Sequence, residues 1–170
     1  MNVIARLDER DRALFLRWST LDSSRIAKQF WVALTHLGGV SSSLAAATLP
    51  MRLGGHVGIA ARNALIVLVV SHLIVQLIKR TVGRPRPSRT TSCATLVQEP
   101  DRFSFPSGHS AAAMSVALAY AFAFPTLGPI LIPLAFVVGL SRVVLGVHYP
   151  GDVLMGQLVA ALTAIPLLTG

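Results

Sequence analysis

The charges in this chain are not where a water-soluble protein would need them. Residues 29–51, 63–78, 103–141 and 153–170 contain no Asp, Glu, Lys or Arg. Apolar stretches of this kind, about 20 residues long, read as membrane spans. The run 103–141 is long enough for two, and Pro125, Gly128 and Pro129 mark the break between them. The expectation is an all-α, polytopic membrane bundle of about five spans, at 29–49, 60–79, 108–124, 128–145 and 152–169, forming a single membrane-embedded domain over residues 1–170. Only 13% of residues are charged and 53% are hydrophobic. A soluble helical core of this size would need more polar surface. The charged N-terminus is not that of a cleavable signal peptide.

The net charge of +8 could suggest nucleic acid, but its distribution argues against that partner. Six basic residues precede the first span and six lie from Lys79 to Arg102. Basic residues that flank spans anchor them and attract anionic headgroups. Cys93 is the only cysteine, so no internal disulfide reports on compartment. Residues 3–21 carry Val3, Leu7, Leu14, Trp18 and Leu21 near one helical face, with Arg6, Asp8, Glu9, Arg10, Arg12 and Arg17 over the rest. Residues 1–28 are therefore expected to hold an amphipathic helix lying in the membrane interface.

Two polar connections remain, a long one at 80–106 and a short turn at 145–152. Two spans separate them, so both fall on the same membrane face. They carry three clusters. Lys79 ends a span, and Arg86 sits in the stiff segment Arg84-Pro85-Arg86-Pro87. Two fixed cations, one of them a planar fork, suit a phosphate dianion. In Pro106-Ser107-Gly108-His109, Ser107 is placed to cap the next helix. Gly108 permits close approach of backbone to a ligand, and the free amides of the helix start form an anion site beside His109. In the third cluster Arg142 lies near a span end, where an unpaired charge is costly and marks function. His148 precedes Tyr149-Pro150, Pro150 suits the first position of a helix, and Asp152 falls in that helix's first turn. A carboxylate on one imidazole nitrogen leaves the other basic and nucleophilic. A metal site built on His148 and Asp152 is the rival reading, but the chain has few carboxylates placed to complete one.

Together the clusters resemble the type 2 phosphatidic acid phosphatase superfamily. The pattern is Lys79, six residues, Arg86-Pro87; then Pro106-Ser107-Gly108-His109; then Ser141-Arg142, five residues, His148, three residues, Asp152. It covers residues 79–152 without departure, in a chain like a short bacterial member. An interfacial helix stands where six-span members have a first span. The resemblance implies a catalytic trio: His148 attacks phosphorus to give a phosphohistidine, Asp152 orients it, and His109 protonates the leaving alkoxide. Lys79, Arg86, Ser107, Gly108 and Arg142 hold the phosphoryl oxygens, with no metal or other cofactor. The expected partners are the bilayer and a phospholipid or isoprenoid-lipid phosphate. Phosphatidic acid, phosphatidylglycerol phosphate, undecaprenyl diphosphate and lipid A are not separated by the motifs. The alternatives are a lipid phosphotransferase and a non-catalytic lipid-binding or transport protein. The related soluble vanadium haloperoxidases are disfavoured by the spans.

His72 and Gln76 share a helical face with Lys79 and read as a structural hydrogen-bonding stripe facing the bundle interior. His36 and His56 read as structural or interfacial, and Glu99 and Asp101 as solvated, with a lid over the site as the alternative for these two acids. The small residues Ala112, Ala113 and Ala117, and Gly156, Ala160 and Thr163, read as packing faces.

Orientation draws on two opposed arguments. Arg6, Arg10, Arg12, Arg17, Arg25 and Lys28 share the motif face, which the positive-inside rule would make cytoplasmic. The resemblance implies action on the extracytoplasmic leaflet of a bacterial cell membrane, and that orientation is the one expected here. A cysteine introduced at Ser88 in a Cys93→Ser background should then react in intact cells with a membrane-impermeant reagent. Reaction only after permeabilisation would place the motifs in the cytoplasm.

Overall fold

The structure, a computed structural model, describes residues 3–19 (side chains from Asp8 onward), 24–91, 95–99 and 101–169. Leu21, Cys93 and the side chains of Val3, Arg6 and Leu7 lie outside the described residues. Among the described residues the regular structure is helical, apart from one isolated bridge between Pro85 and Phe103.

Among the described residues three helices are long and apolar enough to cross a bilayer: α4 (Gly55–Val82), α7 (Gly128–Val144, continuing a short 3-10 turn from Pro125) and α8 (Pro150–Thr169). Their pattern explains their placement. In α4, Ala60, Ala64, Val67, Ser71, Val75 and Lys79 recur every three or four residues and are buried. Ile59, Ile66, Leu73 and Leu77 lie on the other side and are exposed. In α8, Leu154, Leu158, Leu162 and Ile165 form a similar exposed apolar row. Leucine outside and alanine, serine and glycine inside is the reverse of a soluble bundle, and it is what a hydrocarbon solvent permits.

The expected span at 29–49 is broken. It forms α2 (Arg25–Leu37) and α3 (Val40–Thr48), which with the 3-10 turn to Leu53 are bent by 46° at Gly38-Gly39. Gly38 stands at a close crossing: a Cβ there would lie 2.7 Å from the His109 carbonyl oxygen and 2.8 Å from Val138 Cγ1. The expected span at 108–124 becomes α6 (Gly108–Ala123), only 16 residues. At about 24 Å it is shorter than the roughly 30 Å hydrocarbon layer. It is the central helix, packed against α4, α7 and α8 through Ala111, Ala112, Ala117 and Ala119. Ala117 meets Ala135 and Ala160 in one cluster, so the alanine faces do pack.

The N-terminal helix α1 (Val3–Ser19) packs on the bundle through a side other than the apolar face picked out in the sequence. Leu14 and Trp18 are exposed, while Phe15 is fully buried against Tyr149, Val143 and Val153. Asp8, Asp11 and Arg12 lie on the same partly covered side as Phe15. Asp8 and Asp11 on that side meet Arg84 and the Gly151 amide of the motif loops, described below, and so select that face over the more hydrophobic one.

Gly156 sets the crossing of α8 on the start of α6: a Cβ there would meet the Ser107 carbonyl oxygen at 2.3 Å. Gly156→Ala is therefore expected to lower the melting temperature in detergent by several degrees, an overpacking cost of about 1–3 kcal/mol. An unchanged melting temperature would show that this crossing is loose.

Candidate active site

Gly83 ends α4 in the left-handed conformation, φ +62°, its N–H donating to the Lys79 carbonyl. The chain turns sharply there and lays Arg84 and Arg86 across the end of the bundle. Pro87 then opens the four-residue helix α5 (Pro87–Thr90). Arg86 is completely buried. Its Nη1 donates to the Val147 carbonyl at 2.8 Å, its Nε to the Asp101 carbonyl at 2.6 Å and its Nη2 to Asp101 Oδ1 at 2.9 Å. Lys79 Nζ donates to both Asp101 oxygens, at 3.1 and 2.9 Å, and to the Phe103 carbonyl at 3.0 Å. Asp101 is therefore no solvated acid. Burial opposes its ionisation, but Lys79 and Arg86 outweigh this and hold its carboxyl below the usual range. It bridges the two cations.

Ser107 caps α6 as expected, its hydroxyl oxygen accepting from Ser110 N at 3.4 Å and from Ser110 Oγ at 2.8 Å. The first amides of the helix are thereby left available for an anion. A Cβ added to Gly108 would meet nothing within 4 Å, because this position faces the cavity. Ser107 N donates to the Asp152 carbonyl at 2.9 Å, which fixes the start of α6 to the start of α8.

Arg142 is buried at the end of α7, its Nη1 donating to Thr35 Oγ1 of α2 at 2.6 Å; its Nε has no protein partner. Its carbonyl accepts from Val147 N and His148 N and so shapes the turn that carries His148. Pro150 opens α8, as its sequence position indicated.

His148 is fully buried and identifies its own tautomer. Arg86 Nη1 lies 3.3 Å from Nε2. A guanidinium only donates, so Nε2 accepts, and the neutral ring carries its proton on Nδ1. Nδ1 faces Asp152 Oδ2 at 3.6 Å. This is longer than the hydrogen bond expected from sequence, and Nδ1 has no hydrogen-bond partner. Both Asp152 oxygens are engaged elsewhere: Oδ2 accepts from Tyr149 N at 2.8 Å and Oδ1 from Arg84 Nη1 at 2.7 Å. Burial foremost, then the charges of Arg86, Arg142 and Lys79, push the His148 pKa well below the usual histidine value.

Arg84, which no motif assigns a role, is the hub of a second network. Besides Asp152 it donates to Asp11 Oδ2 at 2.8 Å and Asp8 Oδ1 at 2.7 Å, and its guanidinium lies 4.1 Å above the Tyr149 ring. Burial alone would lower its pKa, but Asp152, Asp11 and Asp8 outweigh it and raise the value. Asp11 also accepts from Gly151 N at 2.7 Å. The spacing of Asp8 and Asp11 on one helical face was the available signal. Glu99 accepts from Ser88 Oγ at 2.6 Å, and His56 stacks edge-on with Phe124.

Lys79, Asp101, Gly108, His109 and His148 line one cavity of about 490 Å³. Arg86 joins it through His148 and Asp101, Asp152 stands behind His148, and Arg142 and Ser107 shape its loops. The structure thus gathers all eight sequence-selected residues at one end of the bundle. Among the described residues, no three His, Cys, Asp or Glu side chains converge as a metal-ligand group.

The chain belongs to the PAP2 superfamily, whose pattern it matches over residues 60–169. It is 41% identical over 92 residues to a decaprenylphosphoryl-5-phosphoribose phosphatase of Mycobacterium tuberculosis, covering 54% of this chain and 50% of that protein. It is 37% identical over 94 residues to a lipid A 1-phosphatase of Rhizobium johnstonii, covering 52% and 38%. The chain spans about half the length of the curated relatives it matches or less. The transmembrane PAP2-type phosphatidylglycerolphosphate phosphatase of Bacillus subtilis superposes with a TM-score of 0.79 at 28% identity, over 95% of this chain and 84% of that one. LpxE of Aquifex aeolicus shares the fold, with a TM-score of 0.77 at 22% identity over 93% and 94%.

The tautomer and the lowered pKa give a direct test. In micelles, the His148 ring resonances should remain those of a neutral, Nδ1-protonated imidazole from about pH 8 to about pH 6. Burial favours the neutral form, so acidification through the ordinary histidine range leaves it unprotonated. A midpoint near 6.5 would show a solvated ring.

Proposed function

We propose that this protein hydrolyses a phosphate monoester or diphosphate on a membrane lipid through a phosphohistidine, without a metal. The observation that carries the reading is His148 itself. It is buried, with its Nε2 lone pair towards Arg86 and its protonated nitrogen towards Asp152, and it lines the same cavity as Lys79, Gly108 and His109.

In this reading the incoming phosphate displaces the Asp101 carboxylate from Lys79 and Arg86. It takes further donors from Arg142 and from the Ser107-Gly108 start of α6. The donor that Arg86 aims at Nε2 turns to a phosphoryl oxygen, which frees the lone pair. Nε2 attacks phosphorus, the bond from phosphorus to the lipid oxygen breaks, and His109 gives that oxygen a proton. Asp152 stabilises the cationic ring. Water, deprotonated by His109, then attacks phosphorus; the P–N bond breaks and His148 returns to its neutral form. Arg84 and α1 hold Asp152 in place throughout.

The same proposal has the chain crossing a bacterial cell membrane five times, counting the bent α2–α3 pair and the short α6. α1 lies in the interface and the site opens extracytoplasmically.

A panel of phosphatidic acid, phosphatidylglycerol phosphate, undecaprenyl diphosphate and lipid A, assayed for released phosphate in excess chelator, tests the function. Activity should persist on at least one lipid and be inhibited by vanadate, a mimic of the five-coordinate transition state. His148→Ala should lose about a thousandfold or more in kcat, and Asp152→Asn less. His148→Ala activity within about tenfold of wild type would sink the nucleophile assignment. Complete loss in chelator, restored by magnesium or zinc, would overturn the metal-free mechanism.

A further inference from the structure

The cavity that holds His109 and His148 continues down between α3, α4 and α6, past Leu44, Leu68, Val69 and Leu73. Its walls are mostly apolar, as a lipid chain requires, but three polar side chains interrupt them. His72 and Gln76 line it from α4, and Ser43 lines it from α3. The stripe expected to face the bundle interior therefore faces this groove, and His72 is exposed there. Gln76 Nε2 and His72 Nε2 lie 3.2 Å apart. Each side chain keeps further hydrogen-bonding capacity: an amide oxygen on Gln76 and the second ring nitrogen on His72. Ser43 is 2% exposed and its hydroxyl has no partner.

Position along α4 tells what these groups would meet. Gln76 lies one turn and His72 two turns below Lys79, roughly 5 and 10 Å along the axis. With the phosphate at Lys79, that wall faces the lipid atoms that immediately follow it. In a polyprenyl phosphate those atoms are hydrocarbon, and covering the wall with them would strip water from polar groups and return no hydrogen bond. In a glycerolipid or a phosphorylated glycolipid, an ester, amide or hydroxyl group stands a few bonds from the phosphate and can satisfy them.

We infer that Ser43, His72 and Gln76 form a second polar subsite, selecting lipid phosphates whose linker carries oxygen or amide groups next to the phosphate. The inference rests on the lipid phosphatase reading above. None of the three residues acts in the chemical steps, so their effect is on discrimination between substrates.

The test compares kcat/KM on dioleoyl phosphatidic acid, lipid A and farnesyl phosphate, for wild type and for a His72→Leu/Gln76→Leu variant. The variant should lower the ratio of the preferred oxygenated substrate to farnesyl phosphate by about tenfold or more. Whichever of phosphatidic acid and lipid A loses more identifies the linker. Ser43→Ala, which removes one oxygen, should move the ratio the same way, and it decides the matter if the double variant fails to fold. A ratio that stays fixed in an active enzyme, whether all rates fall together or none does, overturns the subsite alone. A wild type inactive on these three and also on phosphatidylglycerol phosphate and undecaprenyl diphosphate overturns the function reading as well.

Discussion

A guanidinium with no exposure to solvent, at the end of a bundle whose sides face hydrocarbon, cannot be left unpaired, and Arg86 is such a group. Its five donors dictate much of what surrounds it. The Val147 carbonyl, the Asp101 carbonyl and the Asp101 carboxylate converge on it, so the loop after α5 and the turn before α8 are both tied to one side chain. His148 is then held against the remaining face, with its acceptor nitrogen defined. Lys79 shares Asp101 with Arg86, which keeps two like charges close without mutual exposure. The same packing that neutralises these cations gathers the donors a phosphoryl group needs.

Arg84 performs the corresponding task on the outer side of the catalytic turn. It joins Asp152 to two carboxylates of α1, while Phe15 of α1 packs edge-on against Tyr149 at 5.4 Å. The N-terminal helix is thereby part of the structure around His148 rather than an appendage. Exposed apolar rows run along α4, α7 and α8 away from this polar end, and the groove beside α3 and α4 continues from the site between largely apolar walls.

Much was legible in the sequence for identifiable reasons. Charge-free runs and helix punctuation located α4, α6, α7 and α8 within a few residues, because the absence of charge in hydrocarbon is a strong constraint. Ser107 as a cap and Pro150 as a helix start follow from local backbone chemistry alone. The eight residues chosen from the motifs lie together at one end of the bundle, since span parity already required both loops to share a face. Other features depended on partners far along the chain. Gly38 has no room for a side chain because His109 and Val138 crowd that crossing. Asp101 looked solvated because nothing local marks it as the partner of Lys79, 22 residues away.

The sequence by itself determined the solvent, the helical class and the chemical identity of the cluster, because these depend on composition, period and spacing. Only the tertiary structure decided which face of α1 is buried, which nitrogen of His148 is the acceptor, that Arg84 holds Asp152, and that His72 and Gln76 face a groove. Each of these depends on groups distant in the chain that the fold brings side by side, which no local pattern encodes.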